Sequence, residues 1–189
     1  MYTNILWFAL AVPLLAASCA TDPPIHPMRL DDFPGAPIEG DLFPLRDGME
    51  WIFEDRAAEA PTEVRLRLTK REGAYFLSGT KRAEAQVRFQ GVFLEILEGR
   101  VPVARPLKVA GKTGDTWMFN KMRATVFGYD TIEVLGERRR ALVTAVERGR
   151  TRDLYWWVDG IGWARLRNEQ VGCVVRDAYL VEFRPGSAN

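Results

Sequence analysis

The sequence predicts an all-β protein: an antiparallel meander of roughly ten to twelve short strands, curled as a barrel or half-barrel or folded as a sandwich. Three observations carry this expectation. In Thr62–Lys70, TEVRLRLTK, residues Val64, Leu66 and Leu68 share one face while Arg65, Arg67 and Thr69 take the other, the period of a strand with one wet side. Glycine turns at Glu72-Gly73, Glu98-Gly99, Gly136-Glu137 and Asp159-Gly160 separate such segments. The connections are also too short for parallel crossovers, which take about a dozen residues or more.

The chain has 189 residues and is nearly neutral, with 26 Lys+Arg against 25 Asp+Glu. That size suits one folded domain, and the charge balance excludes nucleic acid as an expected partner. Ile5–Ala17, ILWFALAVPLLAA, is uncharged and apolar. It is shorter than the ~20 residues that span a bilayer and has the length of a signal-peptide core. The run ends in LLAASC, which resembles the bacterial lipobox, in which the cysteine becomes diacylated after cleavage before it. Ala17 and Ser18 fit the positions before Cys19; Leu15 lies one place ahead of the usual leucine. The resemblance implies a signal peptide over 1–18, lipid attachment at Cys19, and, with Ala20 following, sorting to the outer membrane. An ordinary secretory signal cut near Ala20, giving a soluble periplasmic or secreted product, and an uncleaved anchor are the alternatives. Residues 19–41 carry Pro23, Pro24, Pro27, Pro34 and Pro37, the composition of a semi-rigid tether. The β-domain is expected over 42–189.

Within that domain the strands are read in order as TEVRLRLTK, AYFLSG, AQVRF, VFLEILEG, RVPVA, ATVFGY, TIEVLG, ALVTAVE, LYWWVDG, GWARLR, GCVVR and AYLVEF. A short helix or turn is placed around Lys81–Ala85. GMEWIF at Gly48–Phe53 returns as GDTWMF at Gly114–Phe119. In each, the tryptophan and phenylalanine stand two apart and so share a strand face. Both are read as strand starts after a turn glycine, with Trp51 and Trp117 as buried anchors. Around the turn at Asp159-Gly160, Leu154–Val158 should pair with Ile161–Arg167. One face then carries Leu154, Trp156 and Val158 and the other Tyr155 and Trp157. One set belongs to the core; the other is covered by a second layer or forms an aromatic platform for a ligand.

FPLRDGMEWIFE and LYWWVDGIGWARL together resemble a loose group of bacterial lipoproteins with an FPLxxGxxWxY opening and a later YWYAxGVGxV segment. Phe43, Pro44, Leu45, Gly48 and Trp51 match the first motif, with Phe53 for tyrosine; Tyr155, Trp156, Gly160 and Gly162 match the second, while Trp157, Asp159 and Ile161 depart conservatively. The resemblance implies an envelope location and a β-domain, with no activity attached.

The residues for catalysis are few. The single histidine, His26, lies in the tether, and beyond Cys19 the serines are Ser78 and Ser187. A Ser–His pair therefore has almost nothing to build on. No Cys/His spacing suits zinc, no acidic loop suits calcium, and no Gly-rich phosphate loop precedes a helix, so no metal or cofactor is expected. Glu54 and Asp55 are adjacent and would face opposite ways on a strand; carboxylates distant in sequence, such as Asp130 and Glu182, are the remaining route to a hydrolase. With Cys19 acylated, Cys173 is expected to be a buried, inert thiol without an intrachain partner. Two arginine clusters flank ALVTAVE: Arg138, Arg139 and Arg140 before it, Arg148, Arg150 and Arg152 after it. Solvated strand ends account for them, or their planar guanidinium groups bind phosphate on lipid headgroups or lipopolysaccharide. With Tyr155 and Trp157 they make up the candidate ligand or partner surface. The sequence thus points to a non-catalytic, lipid-anchored β-domain in the envelope that binds a partner or supports an assembly. The alternative is a curved sheet carrying an acyl chain.

Overall fold

The computed structural model describes residues 33, 38, 40–57, 60–79, 84–171 and 173–187. Every regular element among them is a strand: β1 Glu50–Asp55, β2 Thr62–Arg71, β3 Ala74–Gly79, β4 Ala85–Gln90, β5 Phe93–Glu98, β6 Val101–Lys108, β7 Thr116–Phe119, β8 Met122–Val134, β9 Glu137–Arg148, β10 Thr151–Val158, β11 Gly162–Gln170 and β12 Cys173–Arg184. All twelve join one antiparallel sheet in the order β6-β5-β4-β3-β2-β1-β12-β11-β10-β9-β8-β7. Each strand pairs with its sequence neighbours except that β6 and β7 do not pair, and the sheet is joined at one further place. There β1 pairs with β12, with Trp51 opposite Phe183 and Asp55 opposite Ala178, so the meander rolls into a nearly closed barrel with a seam between β6 and β7.

Two breaks expected from sequence do not occur. β8 runs through Asp130, and β12 runs from Cys173 to Arg184 as one strand. Bulges absorb the irregularity: the register shifts between Val126 and Gly128 in β8, and β12 shifts opposite Ile52/Phe53 and Asn168/Glu169. The expected helix or turn at Lys81–Ala85 lies largely outside the described residues, and Ala85 opens β4.

The register sorts side chains into two faces. Trp51, Phe53 and Asp55 of β1 point inward with Leu66 and Val64 of β2, Tyr155 and Trp157 of β10, Leu166 of β11 and Ala178 of β12. Phe43, from the stretch before β1, enters the interior and stacks on Trp51 at 5.6 Å between ring centroids. It meets Trp163 edge-on at 4.9 Å and Trp157 at 5.9 Å. All four rings are fully buried. Gly162 makes room for this cluster: a Cβ there would lie 3.0 Å from Phe43, and its φ of 86° is one that side chains rarely adopt. The indole donors of Trp51 and Trp157 are satisfied. Trp51 Nε1 donates to Ile161 O at 2.7 Å; Trp157 Nε1 donates to Thr144 Oγ1 at 2.7 Å, and that hydroxyl donates to Pro106 O at 2.8 Å.

The seam has a sequence cause. β6 carries Pro102 and Pro106, which lack the N–H a ladder needs, and β7 is only four residues long. Side chains close the gap instead: Trp117 Nε1 donates to Arg105 O at 2.9 Å and Asn120 Nδ2 to Pro102 O at 2.9 Å. The repeated Gly-x-x-Trp-x-Phe device therefore has two outcomes. Gly48 and Gly114 both adopt positive φ, 77° and 87°, and both start strands. Trp51 is a core anchor, whereas Trp117 is half-buried on the edge strand, its ring 5.7 Å from Phe93. The expectation of full burial at Trp117 is corrected: on an edge strand one flank of the indole has no neighbouring strand.

Below the seam, Asp115 closes the β6–β7 connection, accepting from Lys108 Nζ at 2.7 Å and Lys112 N at 3.0 Å. These two donors hold its carboxyl below the ordinary value of 3.8. A depressed carboxyl stabilises the fold fully above its unfolded value and loses that contribution as pH falls through the folded one. Asp115→Asn should therefore lower the melting temperature at neutral pH, and the difference from the parent should shrink as a pH series descends below about 4. Trp51→Ala should cost ~3–5 kcal/mol in urea unfolding, and Trp117→Ala distinctly less; equal losses would contradict the seam description.

Candidate functional site

An antiparallel meander places alternate turns at the same end. At the end holding the β1–β2, β9–β10 and β11–β12 connections, the interior stops being apolar. Phe53, Leu66, Tyr155, Leu166 and Ala178 wall a cavity of ≈ 30 Å³ at the base of a depression whose sides carry Asp153, Asn168 and Arg176. Such a space holds a water or two. It is an order of magnitude smaller than the ~300–1,000 Å³ of ligand pockets.

The polar residues at this mouth are tied together. Arg176 Nε donates to Asp55 Oδ2 at 3.0 Å, and Asp55 Oδ1 accepts from Asp177 N at 3.1 Å and Ala57 N at 3.2 Å. Asn168 Nδ2 donates to Asp153 Oδ1 at 2.5 Å. These four side chains come from β1, β10, β11 and β12 and were not picked out by sequence. The available signal was a charged residue continuing an inward apolar alternation, as in Trp51-Phe53-Asp55 and Trp157-Tyr155-Asp153.

Tyr155 and Trp157 sit side by side inside the barrel, ring centroids 5.6 Å apart. Both are buried, so they form no aromatic platform; Tyr155 walls the cavity and Trp157 belongs to the central cluster. The opposite face of β10 is buried too. Its Trp156 donates from Nε1 to Asp130 Oδ2 at 2.9 Å and is covered by the Arg165 guanidinium, 4.5 Å from the ring centroid. Arg165 also lies 4.5 Å from the Tyr179 ring and makes a two-pronged contact with Asp177, Nε at 2.8 Å and one Nη at 2.6 Å. Burial opposes the Arg165 charge, but the Asp177 hydrogen bond and charge outweigh it and hold the group above its ordinary range. Burial likewise raises the Tyr179 phenol.

The outer face continues as a ladder of ion pairs. Arg123 meets Glu147 at 2.5 Å, Arg152 meets Glu169, and Arg167 Nε lies 3.1 Å from Glu169 Oε1 without hydrogen-bond alignment. On the far side Glu95 is buried between Arg88 and Arg105, at 2.9 and 2.6 Å. An apolar interior and charged exterior invert the pattern of a membrane-spanning barrel, where midplane Lys or Arg on the lipid face costs ~2–4 kcal/mol.

The two arginine clusters do not converge. Arg138, Arg139 and Arg140 lie at the start of β9 and Arg148 ends it, eight to ten residues further on. Arg139 pairs with Glu137 at 2.5 Å, Arg140 lies 5.8 Å from the Tyr129 ring, and Arg152 belongs to the outer ladder. Arg150 is exposed in the β9–β10 turn. Asp130 and Glu182 are separately engaged, by Trp156 and by Arg184 at 2.7 Å. Cys173, opening β12, is half-buried and disulfide-bonded rather than an inert thiol. Cys19 and His26 lie outside the described residues. Among the described residues no cluster of His, Cys, Asp or Glu could hold a metal ion. The sequence matches no protein-family model and no curated protein.

The Asp55–Arg176 pair is mostly shielded from water, so removing one partner leaves a poorly solvated charge. Asp55→Ala should destabilise the domain by ~3–5 kcal/mol, and adding Arg176→Met should recover part of that loss in a double-mutant cycle. A cycle with purely additive losses would mean the pair is not coupled.

Proposed function

We propose that the chain is a lipid-anchored envelope protein, held at the outer membrane and facing the periplasm, whose β-domain is a non-catalytic module for binding or assembly. The filled interior carries this reading. A barrel whose centre is occupied by Phe43, Trp51, Trp157 and Trp163, with a cavity of ≈ 30 Å³ beside them, favours interactions made from its outside over an enclosed acyl chain. The lipobox-like LLAASC and the proline-rich tether supply the anchor and the spacing from the membrane. One acyl chain binds a bilayer only marginally, while several, at ~0.8 kcal/mol per buried methylene, hold it firmly.

The chain contains two cysteines, so a thioether at Cys19 and an intrachain disulfide at Cys173 exclude one another. Mass spectrometry of the mature protein from cells fed a palmitate analogue decides between them. A diacylglyceryl-modified Cys19 at the N-terminus is expected, with labelling abolished in Cys19→Ser, and with the Cys173 disulfide made to a second chain. A Cys19–Cys173 linked peptide, or label persisting in Cys19→Ser, would overturn the anchoring.

A further inference from the structure

Cys173 is the first residue of β12 and pairs with Gln170 across the hairpin turn that joins β11 to β12. It is half-buried and disulfide-bonded. The chain has one other cysteine, Cys19. With Cys19 held in a thioether, as proposed above, the sulfur bonded to Cys173 belongs to another molecule. A disulfide brings its two Cα atoms to about 4.4–6.8 Å, so that molecule must reach the tip of the β11–β12 hairpin.

The tip suits close approach by a surface like itself. From Gln170 to Val175 the sequence is QVGCVV, six residues without a charge. Val171, in the turn, is 66% exposed and Val175 39%, so apolar side chains flank the sulfur on both sides along the chain. The charges that bracket this run are engaged elsewhere: Arg176 donates to Asp55, and Glu169 is held by Arg152 and Arg167. Around a two-fold axis each residue meets its own kind. A charge there would face its own sign, whereas an apolar side chain meets an apolar one. A strongly acidic or basic partner finds no complementary charge on this run. The tip also lies at the barrel end opposite the tether, which joins the domain at the β10–β11 turn, where Gly160 N donates to Asp41 O at 3.0 Å. Copies anchored through Cys19 share one membrane, which raises their effective concentration for one another.

We propose that this tip is a homodimer contact, closed by a disulfide between the Cys173 residues of two copies. The inference rests on acylation at Cys19. As the S–S bond forms, each thiol gives up one proton and one electron. An oxidised protein dithiol of the envelope takes up two of each and is reduced to two thiols.

The test is peptide mapping by mass spectrometry of the full chain, extracted from the envelope in detergent with free thiols blocked by N-ethylmaleimide. A Cys173–Cys173 linked peptide beside a diacylglyceryl-modified Cys19 is expected. A non-reducing gel should show a doubled mass that dithiothreitol, or Cys173→Ser, returns to that of one chain. Acylated Cys19 with Cys173 alkylated, or linked to a different protein, overturns the dimer and leaves the anchoring intact. A Cys19–Cys173 peptide overturns the anchoring, and the dimer with it. In a glutathione redox buffer, Val171→Asp should form at least about tenfold less disulfide dimer, because like charges then oppose across the axis. Val171→Lys should do the same, and mixing the two variants should restore the dimer, which a misfolded chain would not do. Dimer unaffected by either charge, or unrestored in the mixture, overturns the proposed contact.

Discussion

Four rings at the centre of the barrel, Phe43, Trp51, Trp157 and Trp163, are the contact on which the rest of the structure depends. They come from the stretch before β1, from β1, from β10 and from β11, so bringing them together requires the β1–β12 closure. Aromatic side chains of this size each bury ~150–250 Å². At ~25 cal/mol per Å² that is about 4–6 kcal/mol apiece, comparable with the ~5–15 kcal/mol net stability of a whole domain. Three indoles are buried in the process. The N–H groups of Trp51 and Trp157 each find an oxygen, Ile161 O and Thr144 Oγ1, which offsets the cost of burying those two donors. The same packing consumes the space in which a cargo would have to sit.

The exterior solves a second problem. β10 is apolar on both faces, and an outward Leu154 or Trp156 would otherwise face water. Arginines of the neighbouring strands lie over it with their aliphatic stems inward and their guanidinium groups engaged by carboxylates across the sheet. Arg165 does this most completely, stacked between Trp156 and Tyr179 and bonded to Asp177. Most of the arginine content is thereby structural, which explains how a chain so rich in guanidinium groups is nearly neutral.

Much of this was legible in sequence because it is local. Period-two alternation located the strands, and the Asp159-Gly160 turn fixed the β10–β11 hairpin, with Val158 opposite Gly162. What sequence misplaced was non-local. The strand ATVFGY was expected to end at Tyr129, yet β8 continues through Asp130 to Val134, with a bulge at Gly128 where the Phe33 carbonyl approaches so closely that a Cβ would lie 2.4 Å from it. Trp117 looked equivalent to Trp51 because the two share a motif, but burial is set by the strand's place in the sheet order. Tyr155 and Trp157 looked like a surface option because alternation says which residues share a face, not which face is covered. The polar mouth of Asp55, Asp153, Asn168 and Arg176 was invisible for the same reason: its members meet only after four strands are registered against one another.

The make-up of each barrel end shows how strongly such readings depend on strand count. Turns of a meander alternate between ends, so once the strands are numbered, the composition of each end follows from the sequence alone. β7, Thr116–Phe119, is the shortest strand, at four residues. Overlooking it would shift every later turn to the other end and separate Arg100 from Arg150. Splitting β8 at Asp130 would shift them once more. Only with β7 kept and β8 left whole do Arg100, Lys121 and Arg150 fall on one rim with Val101, Met118 and Val171. Which residues share an end of the barrel is therefore a property of topology, set by which turns the fold stacks together.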